Sequence, residues 1–282
     1  MSAFVGRLRR AAATPPLRGF LKHPRVEPLV ATVLRGSVVR GSSRFVLREL
    51  LAPGRVGRYR LRDGDFDVLI RHGTPDAAIL GEVFYKRDYE FPRPVRAALE
   101  ALGRPPVAVD LGANIGLFGL WVLRSFPEAA IVAFEPDPAN LVVFRRCVSL
   151  NNRTGTWQVV PAAASTDDGT VPFTAGGGSV SRIAEGEAAR TVPALDVFPY
   201  LEGADLIKID IEGGEWAILS DPRFAALRPA AVVLEFHPYM SPGPETRAEA
   251  VELLRRTGLE IADGPDYGSG QGVLWAWGGQ DQ

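Results

Sequence analysis

From about residue 100 onward, short unbroken apolar runs alternate with longer amphipathic stretches. PVAVDLG (106–112), AIVAFEP (130–136), TWQVVPAAAS (156–165), ADLIKIDIEG (204–213) and AAVVLEFH (230–237) read as strands, since short continuous apolar runs suit strands covered on both faces. Between them, GLFGLWVLRSF (116–126), PANLVVFRRCVSLN (138–151), GEWAILSDPRFAAL (214–227) and PETRAEAVELLRRTG (244–258) carry apolar residues at helical spacing. LEIADG (259–264) and GVLWAWG (272–278) add two last strands. This alternation predicts an α/β fold whose sheet is mostly parallel, has helices on both faces and ends in an antiparallel pair.

Before residue 100 the rhythm differs. Residues 1 to about 55 give short helical patterns interrupted by TPP, HPRVEP and APG. GRYRLRDGDFDVLIRHG (57–73) predicts a hairpin that turns at Asp63–Gly64, a favoured two-residue turn. TPDAAILGEVFYKRDYEF (74–91) predicts a helix with Thr74 as N-cap and Pro75 in its first turn. We therefore expect an N-terminal extension and cap over residues 1–100 and one domain over residues 101–282.

Composition refines this picture in three ways. Hydrophobic content of 46% and charged content of 23% are globular values, so a sizeable core is expected. The 32 Lys+Arg balance 33 Asp+Glu, which argues against a general nucleic-acid binder, and the basic clusters GRLRR and GRVGRYRLR read as a solvated face. Cys147 is alone, which excludes an internal disulfide and a cysteine-based metal centre; its amphipathic setting marks it as a buried thiol. No apolar run has signal-peptide or bilayer-spanning length, so the expectation is a cytoplasmic protein with no membrane partner.

The first chemistry-bearing stretch is VDLGANIG (109–116). It ends a strand on Asp110 and opens a helix through Gly112, Asn114 and Gly116, so that a ligand can approach the backbone closely. Glu135 ends the next strand, where a carboxylate can accept from ribose hydroxyls. Dinucleotide-binding folds share that plan. Asp110 separates the alternatives: it would repel a pyrophosphate but favour a ligand carrying a sulfonium and a free amino group.

VAVDLGANIGLFGLW, IVAFEPDPANLVVFRRCVSLNN, VVPAAASTDDGTVPF and LIKIDIEGGEWAIL, in this order, resemble the FkbM family of S-adenosylmethionine-dependent methyltransferases, and VLIRHGTPDAAILGEVFYKRDYEF resembles the segment that often precedes its core. The resemblance covers roughly residues 60 to 240. It implies a class I methyltransferase fold, Rossmann-like, with a seven-stranded sheet whose last strand is antiparallel. It also implies S-adenosylmethionine as cofactor and S-adenosylhomocysteine as product. Asp110, Gly112, Ala113, Asn114 and Gly116 would then surround the methionine part, and Glu135 with Pro136 the ribose. TDDGT (166–170) stands where such enzymes supply an adenine contact, making Asp168 a candidate, although Asp-Gly is also an everyday turn. Many members methylate hydroxyl groups of natural products or glycans, so a small hydroxylated acceptor from secondary metabolism is expected, with no nucleic-acid partner.

Strand periodicity identifies the second group. Side chains alternate, so Lys208 and Asp210 share one face of IKIDIEGGEW, and Glu235 and His237 share a face of VVLEFHP. If the two strands are adjacent and in register, four ionisable residues meet at their carboxyl ends, with Glu212 just beyond. Lys208 reads as the neutralising partner of Asp210 or Glu235. His237 is the natural general base, because its ordinary pKa lies near neutrality. Asp210 and Glu212 complete the expected catalytic set, and Asp210 also serves as a cofactor contact. The carboxylate spacing permits a divalent ion on Asp210, Glu212 and Glu235 without demanding one. Glu215 reads as a favourable charge at a helix N-terminus. TAGGGSVSRIAEGE (174–187) reads as a substrate lid or a tolerant loop. Two rivals stand beside O-methylation: an NAD-dependent oxidoreductase, and a non-catalytic protein that binds the cofactor or a partner.

Overall fold

The computed structural model describes residues 26–174, 182–183 and 190–278. The loop expected over residues 174–187 lies largely outside them. The chain divides into two compact units, Met1–Arg87 and Asp88–Gln282. No helix among the described residues is long and apolar enough to cross a membrane.

The first unit holds α1 (Glu27–Gly36), α2 (Ser42–Leu51), the hairpin β1 (Val56–Arg60) and β2 (Asp67–Arg71), α3 (Asp76–Gly81) and a π-helical turn over Glu82–Lys86. The hairpin turns about Asp63–Gly64, as expected, but through a wider loop than two residues. Arg60 pairs with Asp67, Leu61 N–H donates to Phe66 O, and the tip carries left-handed Gly64 and Asp65. The basic residues of this hairpin are partnered: Arg58 and Arg60 pair with Asp67, and Arg60 also with Asp65. His72 is wholly buried, with Nδ1 2.7 Å from Glu49 Oε2 and Nε2 2.7 Å from the Tyr59 hydroxyl.

The second unit begins with α4 (Arg93–Glu100) and is built on a seven-stranded sheet. Its strands are β3 (Val107–Leu111), β4 (Ala130–Phe134), β5 (Trp157–Val160), β10 (Leu206–Ile209), β11 (Ala231–Phe236), β12 (Glu260–Gly268) and β13 (Gln271–Trp277). They lie in the order β12-β13-β11-β10-β3-β4-β5. The five strands from β5 to β11 run parallel, and β13 is antiparallel to both β11 and β12. Strand order reverses beside β3, because the chain winds outward to β5 and then returns to β10. Ligands of such sheets bind outside the carboxyl ends at that reversal.

Helices α5 (Leu117–Ser125), α6 (Pro138–Leu150), α8 (Glu215–Ser220), α9 (Pro222–Ala226) and α10 (Thr246–Arg255) connect these strands, with the short α7 (Phe198–Leu201) entering β10. Local chemistry sets their limits. Asp137 caps α6 by accepting from Ala139 N–H at 2.8 Å, and Pro138 takes the first helical position, where its missing N–H costs nothing. The single helix expected over 214–227 breaks into α8 and α9, because Pro222 cannot continue a helix and Asp221 starts a new one by capping Arg223 N–H. Leu117 to Leu123 are all buried, so α5 is a core helix rather than an amphipathic one. Val109, Leu111, Ile207, Ile209, Val232 and Leu234 anchor the main core of this sheet; each buried aliphatic side chain contributes roughly 1.5–3 kcal/mol.

A second sheet was not legible beforehand. The run expected as one strand over 156–165 splits at Pro161: β5 stays in the large sheet, whereas β6 (Ala163–Ser165) pairs with β9 (Arg190–Asp196). β7 (Gly169–Thr174) joins β9 antiparallel, and β8 (Arg182–Ile183) completes the four strands. Pro172 and Pro193 within VPFT and VPAL argue against strands at the sequence level. The sheet forms because Ala163, Phe173, Val192 and Ala194 make a small core of their own.

Gly119 marks a tight point of the fold, since a Cβ there would overlap the Trp157 ring. The Gly119→Ala variant should lose about 1–3 kcal/mol through overpacking. Thermal unfolding reads this directly, and an unchanged melting temperature would show that the Trp157 ring is free to move aside.

Candidate active site

The site begins with a buried ion group. Lys208 of β10 pairs in register with Asp110 of β3, and both are buried. Lys208 Nζ lies 3.1 Å from Asp110 Oδ1 and 3.2 Å from Asp210 Oδ2, donates to Gly112 O at 3.1 Å, and sits over the rings of Phe118 and Tyr89. Burial works against its charge, but the carboxylates of Asp110 and Asp210 outweigh that and raise its pKa. Asp110 moves the other way from an exposed carboxylate: burial raises its pKa, and Lys208 opposes the rise.

The loop after β3 is shaped by left-handed backbone at Gly112, Asn114 and Gly116. Gly112 is required for a further reason, because a Cβ there would overlap the backbone carbonyl of Asp210. Gly112 and Ala113 N–H donate to Phe134 O, which fixes the loop against the end of β4. Glu135, the next residue, is buried and locks the loop from the other side. Its Oε2 accepts from Asn114 N–H at 2.8 Å, and its Oε1 accepts from Asp137 N–H at 2.7 Å and Asn140 Nδ2 at 3.2 Å. Burial pushes Glu135 up to about 7 despite those three donors. Pro136 is half-buried between Glu135 and the cap Asp137. Neither oxygen of Asp110 has an aligned hydrogen-bond donor, and neither does buried Asn114 Oδ1.

The second cluster lies at the ends of β10 and β11. Lys208 pairs in register with Val233, which carries Asp210 alongside Glu235. The chain leaves β10 through a turn with left-handed Glu212 and Gly213 and enters α8 at Glu215. Glu215 is wholly buried. Its Oε2 accepts from Gly213 N–H at 2.7 Å; its Oε1 accepts from His237 N–H at 2.9 Å and lies 3.1 Å from His237 Nδ1. His237 is only 3% exposed, and its Nε2 points toward Glu212 Oε2 (3.6 Å) and Glu235 Oε1 (3.9 Å). Burial alone would lower the histidine pKa, but the bond to Glu215 and the charges of Asp210, Glu215 and Glu212 outweigh it and raise the value to about 9. Glu235 is pushed up to about 8 by burial and by Asp210. Its Oε2 accepts from the Tyr89 hydroxyl at 2.6 Å, and Trp121 Nε1 holds Tyr89 O at 2.6 Å.

The structure thus brings Lys208, Asp210, Glu212, Glu235 and His237 together, as the strand alternation implied, and it ties them to Asp110 through Lys208. Three of its features differ from the sequence reading. Lys208 pairs with Asp210, as expected, but its second partner is Asp110. Glu215 opens α8, as expected, but it is also wholly buried and holds His237; the spacing EGGEW, which folds Glu215 back onto Gly213, was the available signal. The three donor atoms that converge within 4.8 Å belong to Asp210, Glu212 and His237, while Glu235 is turned to Tyr89. Tyr89 therefore belongs to the site. Asp168 is exposed and its Oδ1 accepts from Asp196 N–H at 2.9 Å.

A seven-stranded sheet with this order, its last strand inserted antiparallel beside β11 and a glycine loop after its first strand, defines the class I methyltransferase fold. The sequence pattern of the methyltransferase FkbM domain matches residues 110–260, more than half of the chain, and the chain belongs to that family. It is 42% identical to methyltransferase sdnD of Sordaria araneosa over 24% of this chain and 27% of that protein. It is 28% identical to methyltransferase 1 of Beauveria bassiana over 39% of this chain and 56% of that one. AMB antimetabolite synthetase AmbE of Pseudomonas aeruginosa is 30% identical over 56% of this chain, which spans 10% of that protein's length.

Breaking one side of the buried group should be costly. Lys208→Met leaves Asp110 buried without its cation and should lower stability by about 3–5 kcal/mol. Adding Asp110→Asn should restore part of that loss in urea unfolding. A single-variant loss below about 1 kcal/mol would show that water compensates Asp110.

Proposed function

We propose that this chain is an S-adenosylmethionine-dependent methyltransferase acting on oxygen, with a hydroxyl of a natural product or sugar-containing small molecule as acceptor. When bound, the cofactor supplies a methyl carbon activated by the adjoining sulfonium. The residues of the first loop suit such a ligand. Asp110 and Asn114 hold buried acceptor oxygens without aligned donors, and an ammonium offers three donors, directly or through a bridging water. Gly112, Ala113 and Gly116 form the turn between β3 and α5. Glu135 uses three of about four carboxylate acceptor positions within the protein, which leaves one for a ribose hydroxyl.

The observation that carries the reading is the convergence of Asp210, Glu212, Glu235 and His237 beside that loop. An alcohol is a poor nucleophile while it keeps its proton, so transfer to oxygen requires a proton acceptor close to the cofactor. We assign that role to Glu235 in its ionised form, which burial and Asp210 make a stronger base by pushing its pKa up to about 8. Tyr89 holds Oε2, which orients the carboxylate and leaves Oε1 as the accepting atom. His237 Nε2 faces the same cluster, 3.6 Å from Glu212 Oε2 and 3.9 Å from Glu235 Oε1, and is the second proton acceptor within reach. Asp210 and Glu212 position the acceptor. In the step itself the acceptor O–H bond breaks, Glu235 takes the proton, and the oxygen lone pair forms the new bond to carbon. An acidic crevice also disfavours polyphosphate acceptors, which supports a small molecule over nucleic acid. A relative that bears the name of an antimetabolite synthetase supports natural-product chemistry.

Calorimetric titration with S-adenosylhomocysteine tests the cofactor half. Asp110→Ala and Glu135→Ala should each weaken binding at least about tenfold, or 1.4 kcal/mol; unchanged affinity would remove the loop assignment, and binding of NADH instead would replace it with an oxidoreductase. Binding should also tighten between pH 6 and pH 8. Glu135 loses its proton near pH 7, and the carboxylate accepts a ribose hydroxyl better than the acid does. Glu135→Gln should flatten this dependence. A screen of hydroxylated metabolites, read by mass spectrometry for a methyl increment, tests the acceptor half; methylation confined to amines would overturn it.

A further inference from the structure

Asp210, Glu212 and His237 each present one ligand atom, and these atoms lie within 4.8 Å of one another. The contacts that His237 Nε2 makes here are longer than hydrogen bonds: 3.6 Å to Glu212 Oε2 and 3.9 Å to Glu235 Oε1. The 3.6 Å between His237 Nε2 and Glu212 Oε2 falls in the range of about 3–4.2 Å that donors have when each lies about 2.0–2.2 Å from a shared first-row cation. The 4.8 Å limit on the whole set lies just above that range.

The histidine is prepared from behind. A carboxylate only accepts, so Glu215 Oε1, 3.1 Å from Nδ1, places the ring proton on Nδ1 and directs the other nitrogen into the cluster. Glu215 is itself fixed by the backbone N–H groups of Gly213 and His237 and is wholly buried. A carboxylate that orients a histidine in this way is the recurrent support of metal-bound imidazole. Charge points the same way. Asp210, Glu212, Glu215 and Glu235 crowd this strand end, and Lys208 is already shared between Asp110 and Asp210.

We propose that Asp210, Glu212 and His237 form a divalent-cation site at the carboxyl ends of β10 and β11, with Glu215 as the positioning residue. Two carboxylates and one imidazole suit Mn²⁺ or Zn²⁺ rather than Ca²⁺. Three protein ligands leave open positions, which suit a hydroxyl oxygen of the acceptor. That role rests on the methyltransferase reading; the existence of the site does not.

Mn²⁺ added to the full chain after chelator treatment tests the proposal without an acceptor. Paramagnetic resonance should show one bound ion per chain, and spin-echo modulation should show coupling to an imidazole nitrogen. His237→Ala should abolish the nitrogen coupling and weaken binding at least tenfold. Glu212→Gln should weaken binding while retaining the coupling, and Glu128→Gln, on an exposed residue elsewhere, should change neither. Retained S-adenosylhomocysteine binding identifies the variants that remain folded. No binding at millimolar Mn²⁺ would overturn the proposal. So would binding without nitrogen coupling that survives both site variants, since it would mark surface carboxylates. S-adenosylhomocysteine binding without Mn²⁺ binding would remove the metal and leave the cofactor reading intact, whereas the reverse would remove the cofactor reading alone.

Discussion

One buried ammonium makes this site compatible with a folded protein. Lys208 lies in the central strand pair, meets Asp110 on one neighbour and Asp210 on its own strand, and gives a third bond to the Gly112 carbonyl. A carboxylate as deeply buried as Asp110 would otherwise shed its charge, because desolvation costs several kcal/mol. With Lys208 in place, the sheet carries ionised groups to its carboxyl edge on a face whose neighbouring strands are otherwise aliphatic. The aromatic rings of Tyr89 and Phe118 line the ammonium and exclude water from it.

The rest of the site follows outward from that group by short links. Asp210 stands beside Glu235 because parallel register pairs Lys208 with Val233. Glu235 takes its orientation from Tyr89, whose backbone carbonyl is held in turn by Trp121 of the core helix α5. His237, two residues after Glu235, takes its orientation from Glu215. Glu235 and His237 are therefore each aimed by a residue on a different element. Such a cluster is set by tertiary packing rather than by any one loop, and rigid elements hold functional groups more closely than loops do.

Much of this was legible because strands announce themselves by period. The alternation in IKIDIEGGEW and VVLEFHP put Lys208 and Asp210, and Glu235 and His237, on common faces, and the parallel register then joined them. The α/β alternation from residue 106 likewise identified all seven strands of the main sheet. Residues whose roles depend on distant partners were not legible. Tyr89 reaches Glu235 across 146 positions of sequence, and no local pattern encodes that. Glu215 looked like a helix-end charge because its propensity and its burial give different answers, and only the fold decides between them. β7 and β9 were hidden by Pro172 and Pro193, which an edge or satellite sheet tolerates and a central one does not.

The glycine loop shows how a sequence signature can have two causes at once. Gly112 and Gly116 point to a ligand at the level of sequence, because glycine lets a backbone approach closely. Packing alone would require them as well. A side chain at Gly112 would overlap the Asp210 carbonyl, and one at Gly116 would enter the Phe144 ring. The glycines are thus weak evidence for a ligand when taken singly. The stronger evidence is that Gly112 O is also a partner of Lys208, which makes the loop and the strand-end acids a single structure. A change in the loop moves the ammonium, and a change in the ammonium alters the charge that Asp210 presents. The segment that would hold the cofactor and the cluster that would activate the acceptor are coupled through one nitrogen atom, so their geometry is set together.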